Sequence, residues 1–431
     1  MPLDPALAPD RRRSALLLIC LIEILERYGN FLIAALLPLF LNEQQHLLPR
    51  VALRLVGYYL ALGYAGGVLG GWLADRSLGY RGATRVGAAL LVLGAALLSS
   101  PYPGALYPAL ALLVLGSGFF KPALSAWLGS LYAAEDPVRS AGFAWLYFTA
   151  NIGTALAPFV GGALRTRYSW PVAFSTTAAA FTLCLIVILV GQTAAAAAPA
   201  ADRSRSESPT APRAASAGAP RGRTLSALLV AVVLFSVAFG QSGGALLFFA
   251  RDHVDRSILG RVVPPDFFAS IPSALVLILT VLQQGLLRSL RRRNRALACS
   301  STLLIGMVAS GGAFGLLAAV AAAHMDLRSP PQLIHTLWIV GALTLLTMGE
   351  ILVIPVAMAR VSQCTPAGQG ALWQGLLSAA MAVGLALAGE AGRFLTEWGA
   401  PRFFAAAAAM PLAGALVLYV EARREVRPGR Q

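Results

Sequence analysis

The chain has 431 residues, 57% hydrophobic and only 12% charged, with a mean hydropathy of +0.70; a soluble protein of this length needs far more polar surface, so the composition points to a membrane protein. The net charge of +15 does not indicate nucleic acid, because the basic residues sit in short segments between long apolar blocks. Four scattered cysteines, Cys20, Cys184, Cys299 and Cys364, show neither CxxC spacing nor a His/Cys cluster, so no metal site is expected.

Each apolar block reaches or exceeds the ~20 residues that cross a bilayer as a helix, and none shows the alternation of a β-barrel strand. Arg11–Arg13 before the first block resemble the start of a secretory leader. That block, however, is of span length, carries charges and lacks a small-residue cleavage pattern, so it reads as a retained first helix. The first half of the chain predicts spans at 14–41, 51–74, 82–100, 105–130, 138–164 and 170–191. The second predicts them at 225–250, 266–288, 296–323, 332–359, 369–392 and 400–421.

The first span contains "EILERY", which puts Glu23, Glu26 and Arg27 at i, i+3 and i+4. Those positions share one helix face. Charges at membrane depth are costly and should face a water-filled cavity or each other. Glu23 and Arg27 can pair within the helix, which leaves Glu26 in need of a cation from elsewhere.

The second span closes with "GGWLADRSLGYRGATR" at 70–85. Gly70 and Gly71 allow close helix approach. Asp75 can cap or pair at a neighbouring helix N-terminus. Arg76, Arg81 and Arg85 hold the cytoplasmic side. Breaking and remaking contacts of Asp75, Arg76 and Arg81 makes this loop a candidate gate.

The fourth span carries "GSGFFKPALSAWL". Of 34 Lys plus Arg, Lys121 is the single lysine. Arginine is effectively always protonated, whereas a buried lysine can change its protonation or its partner. Lys121 is therefore the cation proposed for Glu26. An ordinary structural ion pair is the competing reading.

Residues 192–224 are rich in Ala, Pro, Ser and Arg and hold almost no large apolar side chain. Such a segment cannot bury a core and reads as a disordered cytoplasmic linker. It separates an N-terminal six-helix bundle, 1–191, from a C-terminal one, 225–422, with a tail at 423–431. With the N-terminus inside, the inner segments hold roughly twice as many arginines as the outer ones, so both termini read as cytoplasmic.

In the tenth span "TLLTMGEILVIPVAMA" contains Glu350. This span has the place in the second half that the fourth has in the first. Transporters built from repeats bind at the midplane between halves. One cationic wall and one anionic wall suit a zwitterion, whose carboxylate would meet Arg27 and Lys121 and whose ammonium would meet Glu350. Glu390 and Arg393, at i and i+3, read as a local interfacial pair.

The six-plus-six pattern and the 70–85 loop suggest a major facilitator architecture. Several motifs then resemble the proton-dependent oligopeptide transporter family of that superfamily. "EILERY", 23–28, is similar to its first-helix E-x-x-E-R-F/Y motif. "GSGFFKPALSAWLGSLY", 116–132, and "GFAWLYFTANIGTALAPFVGGAL", 142–164, resemble its fourth- and fifth-helix segments. "GEILVIPVAMARVSQCTPAGQGALWQG" resembles its tenth-to-eleventh-helix segment.

The resemblance implies proton-driven uptake of di- and tripeptides by a multi-pass protein of the inner membrane. The proton is the coupling ion, with no other cofactor, and the protein works as a monomer. It assigns proton coupling to Glu23, Glu26, Arg27 and Lys121. It assigns the peptide amino group to Glu350 and the peptide site to Tyr64, Tyr147 and Asn151. Phe31, Gln241 and Trp373 join that substrate-binding set. The competing readings are packing aromatics for Tyr64 and Tyr147 and interhelical glue for Asn151.

This sequence also departs from the family pattern. Ala34 stands where a further basic residue is usual, and the seventh span has no Asp or Glu, Gln241 remaining there as a neutral polar group. In the family such an acid often pairs with that basic residue and helps the outer gate; both are absent together here, so no charge is orphaned. Gly67 replaces a common Pro. There is no room for the two extra helices that many bacterial members carry between the halves. An exporter of a drug or peptide-like metabolite on the same fold is the alternative. A non-transporting receptor would not need ionisable groups in matched helices, and no nucleophile–base pair or phosphate loop suggests an enzyme.

Overall fold

The computed structural model describes residues 9–73, 76, 78–102, 104–129, 131, 139–196, 221–258, 260–292, 299–324, 333–364 and 370–425. Helices dominate. A backbone in hydrocarbon has no water to bond to, and a helix satisfies its polar groups internally.

In the first half of the chain the helices are α1 (Pro9–Leu39), α2 (Pro49–Leu73), α3 (Gly79–Ser99), α4 (Leu106–Gly129), α5 (Arg139–Arg167) and α6 (Trp170–Ala196). The second half has α7 (Arg221–Phe239), α8 (Ala245–His253), α9 (Ser270–Arg292), α10 (Cys299–His324) and α11 (Thr336–Cys364). It ends with α12 (Gly370–Ala391), the short α13 (Phe394–Trp398) and α14 (Ala400–Glu425). Among the described residues, seven helical stretches are both long and apolar enough to cross a membrane. The linker expected at 192–224 lies outside the described residues except at its ends, which extend α6 to Ala196 and start α7 at Arg221.

Two expected spans are not single helices. The stretch 225–250 breaks after Phe239, where Gly240, Gly243 and Gly244 supply no side chains to hold a helical surface. The backbone turns there through tight bonds such as Gln241 N–H to Ala238 O at 3.0 Å, and α8 resumes with Ala245–Ala250 fully buried. The stretch 266–288 opens with a 3₁₀ turn, Pro265–Ala269, in which Pro265 presets the first turn.

Short strands occupy the connections: β1 (Val254–Asp255), β2 (Ser257–Ile258), β3 (Arg261–Val262) and β4 (Ile334–His335). β1 pairs in parallel with β4, Val254 opposite Ile334, and β2 pairs antiparallel with β3. The Ser257 N–H donates to Asp255 Oδ1 at 2.9 Å and holds that carboxyl below the usual carboxylate range.

The chain forms two compact units, one of residues 1–36 and 62–208, the other of 37–61 and 209–431. They do not coincide with the two halves of the sequence, because the end of α1 and the first half of α2 pack with the second half of the chain. In the second unit, Leu225, Leu228, Val232 and Phe235 follow helical spacing along α7 and are buried with Met307, Val353 and Val361.

A charged cluster on the first helix

In the first unit the ionisable face of α1 assembles as its spacing predicts. Arg27 Nε lies 2.7 Å from Glu23 Oε1 and 3.7 Å from Glu26 Oε2. Glu26 is 0% exposed and Glu23 6%. Lys121 on α4 lies within electrostatic range of Glu26, Glu23 and Arg27. It makes no direct ion pair with a described carboxylate. Arg27 therefore bridges both acids at close range, and Lys121 acts on Glu26 beside it without a direct ion pair.

Two neutral residues complete the cluster. Asn30, one turn beyond Glu26, donates from Nδ2 to Glu26 Oε1 at 2.7 Å. Ser117 on α4 donates from Oγ to Asn30 Oδ1 at 3.0 Å. Ser117 and Lys121 are one helical turn apart, so α4 offers a hydroxyl and an ammonium to the same region of α1.

The helices around the cluster sit close. A Cβ on Gly153 of α5 would stand 3.0 Å from Arg27 Cβ and 3.0 Å from Tyr28 N. A side chain there would push α5 off the charged face. Tyr28 donates to Thr176 Oγ1 of α6 at 2.9 Å, and Tyr64 of α2 lies in electrostatic range of Arg27.

The other expected site residues fare differently. Tyr64 and Tyr147 are exposed, and Phe31 is half-buried. Asn151 donates to Tyr147 O at 2.9 Å, one turn back on its own helix. Glu350 is half-buried on α11 and has no hydrogen bond or ion pair with another described residue. Trp373 lies on α12, its side chain outside the described residues, and Asp75 lies outside them altogether. Arg76 is exposed, and Arg81 sits with its guanidinium 5.9 Å from the Tyr80 ring centroid.

Two expectations need correction. Gln241 is 2% exposed, and its amide donates to Val237 O at 3.1 Å and Ala388 O at 3.0 Å. It closes the backbone where α7 breaks and packs against α12, rather than being presented to a substrate. Glu390 does not pair with Arg393, whose guanidinium lies over the Phe394 ring. Glu390 accepts instead from Arg54 Nε at 3.0 Å and Tyr58 Oη at 2.8 Å, both on α2. The reason is a glycine crossing in the second unit: a Cβ on Gly57 would stand only 2.6 Å from Gly389 Cα, so α2 and α12 touch backbone to backbone. A small cleft beside the crossing is lined by Leu53, Gly57, Gly240, Gln241, Ala388 and Gly389.

The family described as PTR2, the POT family, matches residues 83–205 and 224–400, well over half of the chain. The chain belongs to the POT family. A dipeptide and tripeptide permease A of Escherichia coli K12 is 25% identical over 402 residues, covering 83% of this chain and 79% of its own length. Among solved structures, a peptide transporter POT crystallised with alafosfalin superimposes with a TM-score of 0.83 at 23% identity, over 95% of this chain and 94% of that one. A POT family transporter crystallised with 5-aminolevulinic acid gives a TM-score of 0.83 at 18% identity, over 96% and 97%. At these identities the two structures establish a shared fold.

Within this POT member the sequence reading missed four residues: Asn30, Ser117, Arg54 and Tyr58. For the first two a signal existed, since Asn30 lies four residues after Glu26 and Ser117 four before Lys121. For Arg54 and Tyr58 there was none, because their partner is more than three hundred positions away.

Proposed function

We propose that this chain is a proton-coupled symporter that imports di- and tripeptides or peptide-like compounds by alternating access. The observation that carries the reading is the burial of Glu26 beside Arg27 at 3.7 Å, with Lys121 in electrostatic range. A carboxyl in that position holds two cations while ionised. One proton on Glu26, with Glu23 as the second acceptor, removes that hold. Arg27 and Lys121 are then the cations a peptide carboxylate would claim.

Glu350 supplies the complementary anion. It has no described partner of its own, which suits a group that waits for a substrate ammonium. Tyr64, Tyr147, Phe31, Asn151 and Trp373 complete the peptide-binding set in this reading. Arg76 and Arg81, with Asp75, serve the cytoplasmic gate. The seven clear spans and the shorter apolar α7 and α12, taken with α1, α2 and α5, make up twelve crossings. Both termini are cytoplasmic, the membrane is the inner one, and one chain suffices. The exporter reading rested on an outer gate weakened by the missing acid of the seventh span. Small, apolar cavity neighbours were its other ground. The contacts of Arg54 and Tyr58 with Glu390 bear on the first ground alone, since they offer an ion pair on other helices.

The test is uptake of a labelled dipeptide into proteoliposomes with and without an imposed inward proton gradient. The gradient is expected to drive accumulation, and Glu26→Gln or Lys121→Ala to abolish it. Uptake indifferent to the gradient would overturn the symport reading.

A further inference from the structure

The Asn30 amide is oriented by its two neighbours. With Oδ1 accepting from the Ser117 hydroxyl, Nδ2 must face Glu26. The reverse orientation would set two oxygens against each other, Asn30 Oδ1 and an ionised carboxylate. This string therefore engages one oxygen of Glu26 and leaves the other. Glu26 Oε1 carries the Asn30 bond. Oε2 is buried, has no hydrogen-bond donor, and sees Arg27 only at 3.7 Å.

The two oxygens therefore differ in what they can accept. A proton added at Oε2 displaces no hydrogen bond and takes the side chain from a charge of −1 to neutral. Oε1 becomes the carbonyl oxygen of the acid and still accepts from Asn30. The attraction to Arg27 and Lys121 ends at that step, whereas the tie to Asn30 and Ser117 weakens without breaking.

We infer that Asn30 and Ser117 are positioning residues that hold Glu26 against α4 in both protonation states and direct the proton to Oε2. The inference rests on the proton-coupled reading above and deepens it. Proton binding then frees cations for the substrate without loosening α1 from α4. The groups facing Glu26 are Glu23 and Arg27 on α1, Lys121 on α4 and the Cys184 thiol on α6. With several charges around one carboxyl, the useful quantity is the difference between variants.

The experiment is infrared difference spectroscopy of the reconstituted full chain during a pH titration, following the carboxylic acid C=O band that Glu26→Gln removes. Asn30→Leu keeps the size of the side chain and deletes the donor. The band is expected to move to higher frequency, since its carbonyl is no longer hydrogen-bonded. Its midpoint is expected to move to higher pH by about one unit, since a donor helps the ionised form more than the neutral one. Ser117→Ala, which leaves the amide free to turn, is expected to give a smaller shift in the same direction. It also keeps the test alive if Asn30→Leu fails to fold. An unchanged band and midpoint in these variants would overturn the inference, as would the absence of any Glu26-dependent band. Because the readout needs no substrate, a normal infrared response with no dipeptide uptake sinks the peptide reading alone. Gradient-driven uptake with a dead infrared response sinks this one alone.

Discussion

Two charged contacts in this protein are built from the same residue types and do different work. On α1 an arginine whose side chain is 37% exposed bridges two glutamates whose side chains are 8% and 0% exposed. Between α2 and α12 an arginine meets one glutamate whose side chains are 47% and 34% exposed. The distances are alike, 2.7 and 2.9 Å. Burial of the carboxylates is what separates them. A carboxylate deprived of water depends on every partner it has, and a proton can replace those partners. A half-exposed pair retains water as an alternative and contributes little by itself. Buried carboxylates of the first kind respond to a proton, and a half-exposed pair of the second kind can part at low cost.

The sharpest way to break this contrast is to remove the cation from the buried site. Arg27→Leu leaves Glu23 and Glu26 facing each other, at a cost of about 3–5 kcal/mol. The sign with pH follows from the charge. At alkaline pH both acids are ionised and the full cost appears. At acidic pH a proton takes the place of the guanidinium and the cost shrinks. Thermal unfolding in detergent at two pH values checks this, with the larger drop expected at the higher pH. An equal drop at both would mean that Arg27 serves packing rather than charge.

Next in size is the glycine crossing of the second unit. Gly57→Val places atoms where the Gly389 backbone now stands, 2.6 Å from a bare Cβ. The helices must separate, at a cost of about 1–3 kcal/mol for overpacking. A cysteine at position 58, in a background without other cysteines, should then react faster with a water-soluble thiol reagent. Unchanged labelling would show that the crossing closes nothing.

The same contrast explains what could be read from the sequence. Glu23, Glu26 and Arg27 were legible because their partners are local, one helical turn apart, and charge inside an apolar run is conspicuous. Lys121 was legible by its rarity. Asn30 and Ser117 gave only a weak signal, their place one turn from a conspicuous charge, because a small neutral polar residue points to no particular partner until a neighbouring helix is in place. Gln241 misled for the opposite reason: it looked like the neutral remnant of a functional acid, and it serves a break in α7 that the glycines at 240, 243 and 244 had announced. Glu390 was given the nearest arginine in sequence, Arg393, when the partner was fixed by a backbone crossing 336 residues away in chain numbering. Most helix boundaries, by contrast, followed from apolar length alone, since the bilayer dictates them.

The smallest effects belong to the exposed pair. Arg54→Ala and Glu390→Gln should each cost about 0.2–1 kcal/mol, with a double-mutant coupling of similar size that fades at high salt. The exchange Arg54→Glu with Glu390→Arg should recover most of it, and failure to recover would show that geometry rather than charge sets the contact. Tyr58→Phe should fall below both. Its hydroxyl donates to the Glu390 oxygen at 2.8 Å, but water reaches the same carboxylate and can replace the donor. The ring itself is kept. A melting temperature within error of the parent is therefore expected, together with an unchanged Arg54–Glu390 coupling. A loss as large as that of Arg54→Ala would mean that the hydroxyl, and not the guanidinium, orients the carboxylate, and the contact between α2 and α12 would then have to be argued as a buried hydrogen bond rather than as an exposed ion pair.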